Sequence, residues 1–295
     1  MAAKASFNWI DPLLLDQQLT EEERMVRDSA QQFAADKLAP RVLEAFRHEQ
    51  TDPKIFREMG EMGLLGATIP EEYGGGGGDF RHEALLYEEL NRRGISGFGQ
   101  GVHSICAHYI LNHGSEQQKQ RWLPRMASGE LIGAIAMTEP GAGSDLKGIR
   151  TRAVRDGDDY VVNGSKIFIT NGSIATILML VVRTDPNDRS RGLSILMVET
   201  EGLAGYRVGR VLDKMGFHAQ DTAELFFDDC KVPVENLIGA ENMGFACIMA
   251  NFQSERLALA IMANMTAQLA LEEALAWCRE REAFGKPIGK FQVLK

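Results

Sequence analysis

The chain has 295 residues, enough for one large domain or for two to three smaller ones. A hydrophobic content of 44% with 25% charged residues argues against disorder, and the longest apolar run, Ile177 to Val182, is far short of the ~20 residues that span a bilayer. The net charge of −9 argues against nucleic acid, which needs a clustered basic face, but leaves room for an anionic small molecule held by local Arg and Lys.

Cys106, Cys230, Cys247 and Cys278 show no CxxC or other metal-ligand spacing, so no metal site is expected and the thiols read as reduced and buried. Met1 to Trp9 has neither an apolar core nor an Arg-rich amphipathic pattern. No targeting peptide is expected there, which suits a cytoplasmic protein or a trimmed mitochondrial matrix form.

The first elements read as helices. Thr20 with Glu23 forms a capping box, and Met25, Ala30, Phe33, Ala34 and Leu38 follow at helical spacing until Pro40 interrupts. A second helix is predicted near Ile55 to Met62, stopping at Gly63. Gly74 to Gly78 reads as a flexible loop. Glu83 to Leu90 and Cys106 to Leu111 are helical, and Ser115 with Gln118 caps a helix through Trp122 and Met126.

The period then changes. Tyr160-Val161-Val162, Asn163-Gly164 and Lys166 to Thr170 read as a hairpin with an Asn-Gly turn. Ile177 to Val182, Leu193 to Val198 and Thr222 to Phe227 read as further strands, with no helix between about Asp145 and Glu235. Asn251 to Arg281 lacks Pro and Gly and returns to helix, single or broken. Gly285-Lys286-Pro287 ends it, and another helix is predicted from Phe291. The expected class is α+β and multidomain: an N-terminal helical domain over 1–130, a central antiparallel β-domain over 131–240, and the start of a C-terminal helical bundle over 241–295.

The most distinctive segment runs from Ala136-Met137-Thr138-Glu139-Pro140 through Gly141-Ala142-Gly143-Ser144-Asp145 to Leu146-Lys147-Gly148. Its glycines and hydroxyls allow close backbone approach to a ligand, although an interdomain connection reads the same way.

That segment resembles the signature of the acyl-CoA dehydrogenase family. The resemblance continues through Asn163 to Gly172, Lys214-Met215-Gly216, Thr222 to Phe227 and Arg281 to Lys286 with Phe291-Gln292, in the family's order over essentially the whole chain. It implies a helical–β–helical fold and FAD bound outside any Rossmann motif. It further implies an acyl-CoA substrate, a homotetramer and electron-transferring flavoprotein as partner. Carried over residue by residue, Met137, Thr138, Gly143, Ser144, Phe168, Ile169 and Thr170 are expected at the flavin. Ser144 is also expected near the bound CoA. Arg281, Phe284 and Gln292 are expected to reach the FAD of a neighbouring subunit. On its residues alone, Phe168 reads equally well as a strand core residue.

Removing the α-proton of a thioester needs a positioned carboxylate while hydride leaves the β-carbon. Glu255 is the candidate. A solvated helix glutamate is the plain alternative, but isovaleryl and long-chain members of the family carry a Glu in this position before an Arg, as Glu255-Arg256 does here. Apolar neighbours would raise its pKa. Phe98, Gln253 and Arg256 are the other expected substrate contacts.

The stretch from Trp9 to about Tyr73 resembles glutaryl-CoA dehydrogenase, and from residue 74 onward the chain resembles long-chain acyl-CoA dehydrogenase instead. Ser96-Gly97-Phe98-Gly99 offers no arginine to a distal carboxylate, so a straight, apolar, medium- to long-chain acyl group is expected. Isovaleryl- or glutaryl-type dehydrogenation, an acyl-CoA oxidase, and a fragment inactive for want of the family's remaining C-terminal segment are the alternatives.

Overall fold

The computed structural model describes Phe7 and residues 11–93, 98–188 and 191–292. A short helix α1 (Leu15–Gln18) precedes α2 (Glu21–Phe33), whose Thr20–Glu23 capping box is present in full. Pro40 does not end this helix. A wide π turn over Ala34–Leu38, closed by Ala39 N–H to Ala34 O, carries it past the residue that cannot donate and into α3 (Ala39–His48).

Next come α4 (Lys54–Glu61), α5 (Phe80–Arg92), α6 (Gln100–His113) and α7 (Glu116–Ala127), the last opened by the Ser115–Gln118 capping box. The glycine run before α5 is tied down rather than free: Gly75, Gly76, Gly77 and Gly78 donate their N–H groups to Pro70, Gly66, Ile69 and Ala67.

The central region is a single eight-stranded sheet. Its strands are β1 (Gly133–Ala136), β2 (Arg152–Asp156), β3 (Asp159–Thr170), β4 (Ile177–Arg183), β5 (Leu193–Glu199), β6 (Tyr206–Val211), β7 (Thr222–Pro233) and β8 (Leu237–Ile238). The order is β6-β7-β3-β2-β4-β5-β8, with β1 beside β4. The pairing is mainly antiparallel, but β1 runs parallel to β4, so the sheet is mixed rather than purely antiparallel.

Asn163-Gly164 is not a turn. β3 continues through it as one strand, and the register against β7 shifts between Val162 and Gly164. A Cβ on Gly164 would lie 2.5 Å from Thr151 Oγ1, so the glycine serves a close approach at a bulge. The chain reverses earlier, between β2 and β3, where Asp156 pairs with Asp159.

β4 explains the unbroken apolar run. Ile177, Met179 and Val181 enter a core shared with Tyr109, Trp122 and Ile248, while Leu178, Leu180 and Val182 enter a second core with Tyr160, Leu225 and Val232. A third core holds Phe33, Phe56, Met59, Leu86 and Phe98 among the N-terminal helices.

The last helix is unbroken: α8 (Gly244–Glu280) has 37 residues, about 55 Å at 1.5 Å per residue. It packs on α5 and α6, meeting α6 at Asn251 and Glu255. Leu257, Leu259, Leu271, Leu275 and Trp277 on it are exposed. A small hairpin of β9 (Glu282–Ala283) and β10 (Lys286–Pro287) follows. A 3₁₀ turn over Ile288–Lys290 comes next; Phe291 is a bend and Gln292 has 3₁₀ geometry, and the rest of the helix predicted from Phe291 lies outside the described residues.

Candidate active site

The segment after β1 is anchored from beneath by a buried ion pair. Lys166 Nζ, whose side chain is fully buried, lies 2.8 Å from Glu139 Oε1 and donates to the Met137 carbonyl at 3.0 Å. Glu139 also accepts the N–H groups of Arg150 and Thr151, at 2.7 and 2.9 Å. Burial opposes the Glu139 charge, but Lys166 and these donors hold its pKa below the usual value. Burial lowers Lys166 to about 8 against the pull of Glu139, which leaves it charged at neutral pH.

The anchored segment turns open groups outward. Ile167 N–H donates to the Thr138 carbonyl at 2.9 Å, whereas the Thr138 N–H and hydroxyl bond to nothing among the described residues. A Cβ built on Gly141 or Gly143 would meet nothing within 4 Å, and Ser144 is exposed.

Beside it, β3 bulges between Lys166 and Ile169. The bulge buries Lys166 and Ile169 but turns Phe168 out at 63% exposure, in the left-handed region with φ 62. A bulky residue there carries strain of roughly 1–2 kcal/mol. The Thr170 hydroxyl accepts from Gln220 Nε2 at 3.1 Å. Asn171, buried and also left-handed, donates to the carbonyls of Gly99 and Gly133 at 2.9 and 3.0 Å, tying the helical region to the sheet next to Thr170.

Glu255 lies on α8 where it crosses α6. The Tyr109 hydroxyl, fully buried, donates to Glu255 Oε1 at 3.1 Å. One turn earlier, Asn112 Nδ2 donates to Asn251 Oδ1 at 3.0 Å and sets the register of the two helices. Burial raises the Glu255 pKa; the Tyr109 hydrogen bond and Arg256 pull the other way and do not cancel it. Burial also pushes Tyr109 far above the usual tyrosine value, so the phenol remains a donor. Arg256 is exposed and stacks over Phe252 at 5.2 Å. Met137, Tyr109 and Phe252 belong to one packed cluster, and Lys147 sits over Phe245 at 5.1 Å, so the loop and the start of α8 form one neighbourhood.

The other expected residues lie elsewhere. Phe98 packs 5.9 Å from Phe56 and, with Leu38, Ile55 and Ala219, lines a separate cavity of about 380 Å³. Gln253 is exposed on α8. Arg281 follows Glu255 by 26 residues, about 39 Å along the helix, so Arg281, Phe284 and Gln292 do not join the Glu255 cluster within one chain. Phe284 is 95% exposed on its hairpin. Tyr109, Glu139 and Asn171 carry positions that the sequence reading assigned no role. A lone tyrosine in the apolar stretch Ala107 to Leu111 was the available signal for the first, because a buried phenol needs an acceptor.

The segment after β1 thus leaves donors of Thr138 without partners among the described residues, Phe168 turns outward, and Glu255 is a partly buried carboxylate with a raised pKa. Residues 20–130 match the profile of the acyl-CoA dehydrogenase N-terminal domain, 134–230 that of its middle domain, and 242–295 that of its C-terminal domain. The chain is 40% identical over 279 residues to the mitochondrial long-chain specific acyl-CoA dehydrogenase of Sus scrofa, covering 94% of this chain and 65% of that protein. It is also 40% identical over 282 residues to the short-chain specific acyl-CoA dehydrogenase of Clostridium acetobutylicum, covering 95% and 74%. The crystal structure of an acyl-CoA dehydrogenase from Geobacillus kaustophilus superposes with a TM-score of 0.90 at 44% identity, covering 94% of this chain and 73% of that one. The chain belongs to the acyl-CoA dehydrogenase family, whose proteins use FAD. It spans about 65% of the length of the long-chain relative, and equal identity to a long-chain and a short-chain enzyme leaves acyl length open.

Proposed function

We propose that this chain carries the site for FAD-dependent α,β-dehydrogenation of a medium- to long-chain acyl-CoA to the trans-2-enoyl-CoA, with Glu255 as the base. The observation that carries the reading is the partly buried Glu255, its pKa raised, on a helix whose start shares a packed cluster with Met137.

The residues present suit FAD. The free N–H and hydroxyl of Thr138 offer donors to the polar edge of a flavin, the outward Phe168 ring offers a stacking face, and the open ground at Gly141 and Gly143 leaves room for phosphates beside Ser144. Bound FAD would supply the two-electron acceptor for the hydride that leaves the β-carbon. Tyr109 occupies Glu255 Oε1, which leaves Oε2 to take the α-proton; the electron pair of that C–H bond becomes the new C=C bond as the β-hydride departs. A base with a raised pKa is matched to this weakly acidic proton.

Electron-transferring flavoprotein is the proposed acceptor and a homotetramer the proposed assembly, both by family resemblance. The exposed Leu257, Leu271 and Trp277 suit subunit contacts along α8. The four free cysteines suit a reducing compartment, cytoplasm or mitochondrial matrix.

The test is an absorbance spectrum of the purified chain loaded with FAD, followed anaerobically on adding acyl-CoA. Bleaching of the flavin band in the parent and its loss in Glu255→Gln are expected. A variant that bleaches at the parent rate, or a chain that holds no flavin, overturns the reading.

A further inference from the structure

The connection from β6 to β7 is exposed at its tip and pinned at its base. Met215 and Phe217 are exposed, and Phe217 lies in the left-handed region with φ 50. The residues that follow are tethered one by one. His218 Nδ1 lies 3.2 Å from Glu49 Oε1. The Ala219 carbonyl accepts from the Thr51 hydroxyl at 2.8 Å. Gln220 N–H donates to the Phe217 carbonyl at 3.1 Å, and the Gln220 carbonyl accepts from Lys214 Nζ, which also donates to Thr222 Oγ1 at 2.9 Å. Asp221 Oδ2 accepts the Ser173 N–H at 2.7 Å. With its backbone held in this way, the Gln220 side chain makes one hydrogen bond among the described residues, from Nε2 to Thr170 Oγ1 at 3.1 Å.

Thr170 stands beside the outward Phe168. Beyond the bulge, β3 regains its register with β7 at Ile169 opposite Ala223 and Thr170 opposite Thr222. Ile169 is 1% exposed in the second core, so alternation turns the Thr170 side chain away from that core. The exposed Phe168 also stands clear of it, and the Thr138 carbonyl holds the intervening edge through Ile167 N–H. A hydroxyl carries one proton. An amide N–H can only donate, so Thr170 Oγ1 is the acceptor in its bond to Gln220, and its proton is given to nothing among the described residues. A carboxylate in place of the amide would draw that proton inward. The amide leaves it free for a ligand on the Phe168 side.

We propose that Gln220 is a positioning residue for the flavin: its amide fixes Thr170 as a hydrogen-bond donor toward the isoalloxazine ring, and so favours reduced over oxidised flavin in the site. This rests on the reading of Thr138 and Phe168 to Thr170 as the FAD site. Reduction makes the ring nitrogens more electron-rich, and a neutral donor already aimed at the ring favours that state without reorganising. The tethers from Thr51, Lys214 and Ser173 serve to hold one amide against one hydroxyl, which accounts for a pinned base under an otherwise exposed connection.

The test is the flavin reduction potential of the FAD-loaded chain, measured by anaerobic equilibration with a redox dye and no acyl-CoA. Gln220→Met keeps the length and loses the amide. The ratio of reduced to oxidised flavin at a fixed dye potential should fall about threefold, about 15 mV for a two-electron couple. Gln220→Glu supplies an acceptor that takes the Thr170 proton, and the ratio should fall about tenfold, about 30 mV. Thr170→Val removes the hydroxyl, and in that background Gln220→Met should leave the ratio unchanged. An unchanged ratio in both single Gln220 variants, or a Gln220→Met effect as large with Thr170→Val as without it, overturns the role of Gln220 while Glu255-dependent bleaching still stands. If the unmodified chain holds no flavin, the parent reading falls and this one with it. Gln220→Glu decides where Gln220→Met fails to fold.

Discussion

Tyr109 and Glu255 meet at 3.1 Å across the crossing of α6 and α8, 146 positions apart in sequence. The phenol donates to a carboxylate that burial has already pushed up, so the hydrogen bond limits that rise. Tyr109→Phe removes the donor and lets the Glu255 pKa climb further. The base works ionised, so activity is lost as pH falls through its pKa. The low-pH limb of flavin reduction should therefore move to higher pH in the variant, with the plateau rate at high pH changed far less. A pH–rate series by anaerobic stopped flow measures this. An unmoved limb would mean that Tyr109 does not act on the base.

Glu255→Gln should separate stability from activity. A carboxylate whose folded pKa lies above its unfolded value destabilises the folded state wherever it is ionised, and stability returns as pH falls through the raised pKa. Glutamine keeps the shape and the Tyr109 contact without the charge. The variant should lose flavin reduction and show a higher Tm than the parent at neutral pH, with the difference shrinking on acidification. Calorimetry at two pH values checks it, and a lower Tm at neutral pH would contradict the argument.

The elements legible in the sequence were those set by local rules. Thr20 with Glu23 and Ser115 with Gln118 cap helices because both partners lie within one turn. Ile177 to Val182 reads as a strand because both of its faces are covered, which leaves no polar alternation to confuse it. Asn163-Gly164 misled because the local signal of a turn is also that of a bulge, and only Thr151 on the facing chain decides between them. β1, β2, β6 and β8 were missed, β1 and β8 for being four and two residues long, and β2 and β6 because they lie mostly exposed and show no clean alternation. At the site, resemblance supplied the loop and Glu255. The partners Tyr109 and Asn171 become visible only when distant segments pack together.

Lys166 should matter more for holding the loop than for chemistry. Lys166→Ala leaves Glu139 buried without its cation, a class of change that costs about 3–5 kcal/mol. It also frees the Met137 carbonyl, so FAD affinity should fall together with stability. Urea denaturation of the FAD-free protein gives the first quantity and flavin titration the second. Parent-like values of both would show that the pair does not anchor the segment.

Gly99 lies against Asn171 at the junction of the helical region and the sheet. Its φ is 76, and a Cβ there would fall 1.8 Å from Asn171 Oδ1. Gly99→Ala must therefore displace the amide that holds the Gly99 and Gly133 carbonyls. A loss of about 2–3 kcal/mol is expected from the strained backbone and the broken hydrogen bonds together. Combining it with Asn171→Ala should cost less than the sum of the two single changes, because the clash disappears with the side chain. A double-mutant cycle in urea measures the coupling, and strict additivity would place the two residues in separate units.

Phe168 carries backbone strain that its own strand does not need. At φ 62 and 63% exposure it gains little from packing within the chain. Phe168→Gly removes the left-handed penalty at a site where glycine is at ease, and should stabilise the FAD-free protein by roughly 1 kcal/mol. If the ring is a stacking face for the flavin, the same change should weaken FAD binding by about tenfold, the two effects running in opposite directions. Phe168→Leu keeps the penalty and most of the apolar surface but loses the ring, so it should weaken FAD without stabilising the protein. Parallel unfolding and flavin-titration curves for both variants resolve the two contributions. Unchanged FAD affinity in both would leave the strain at Phe168 without a ligand to account for it.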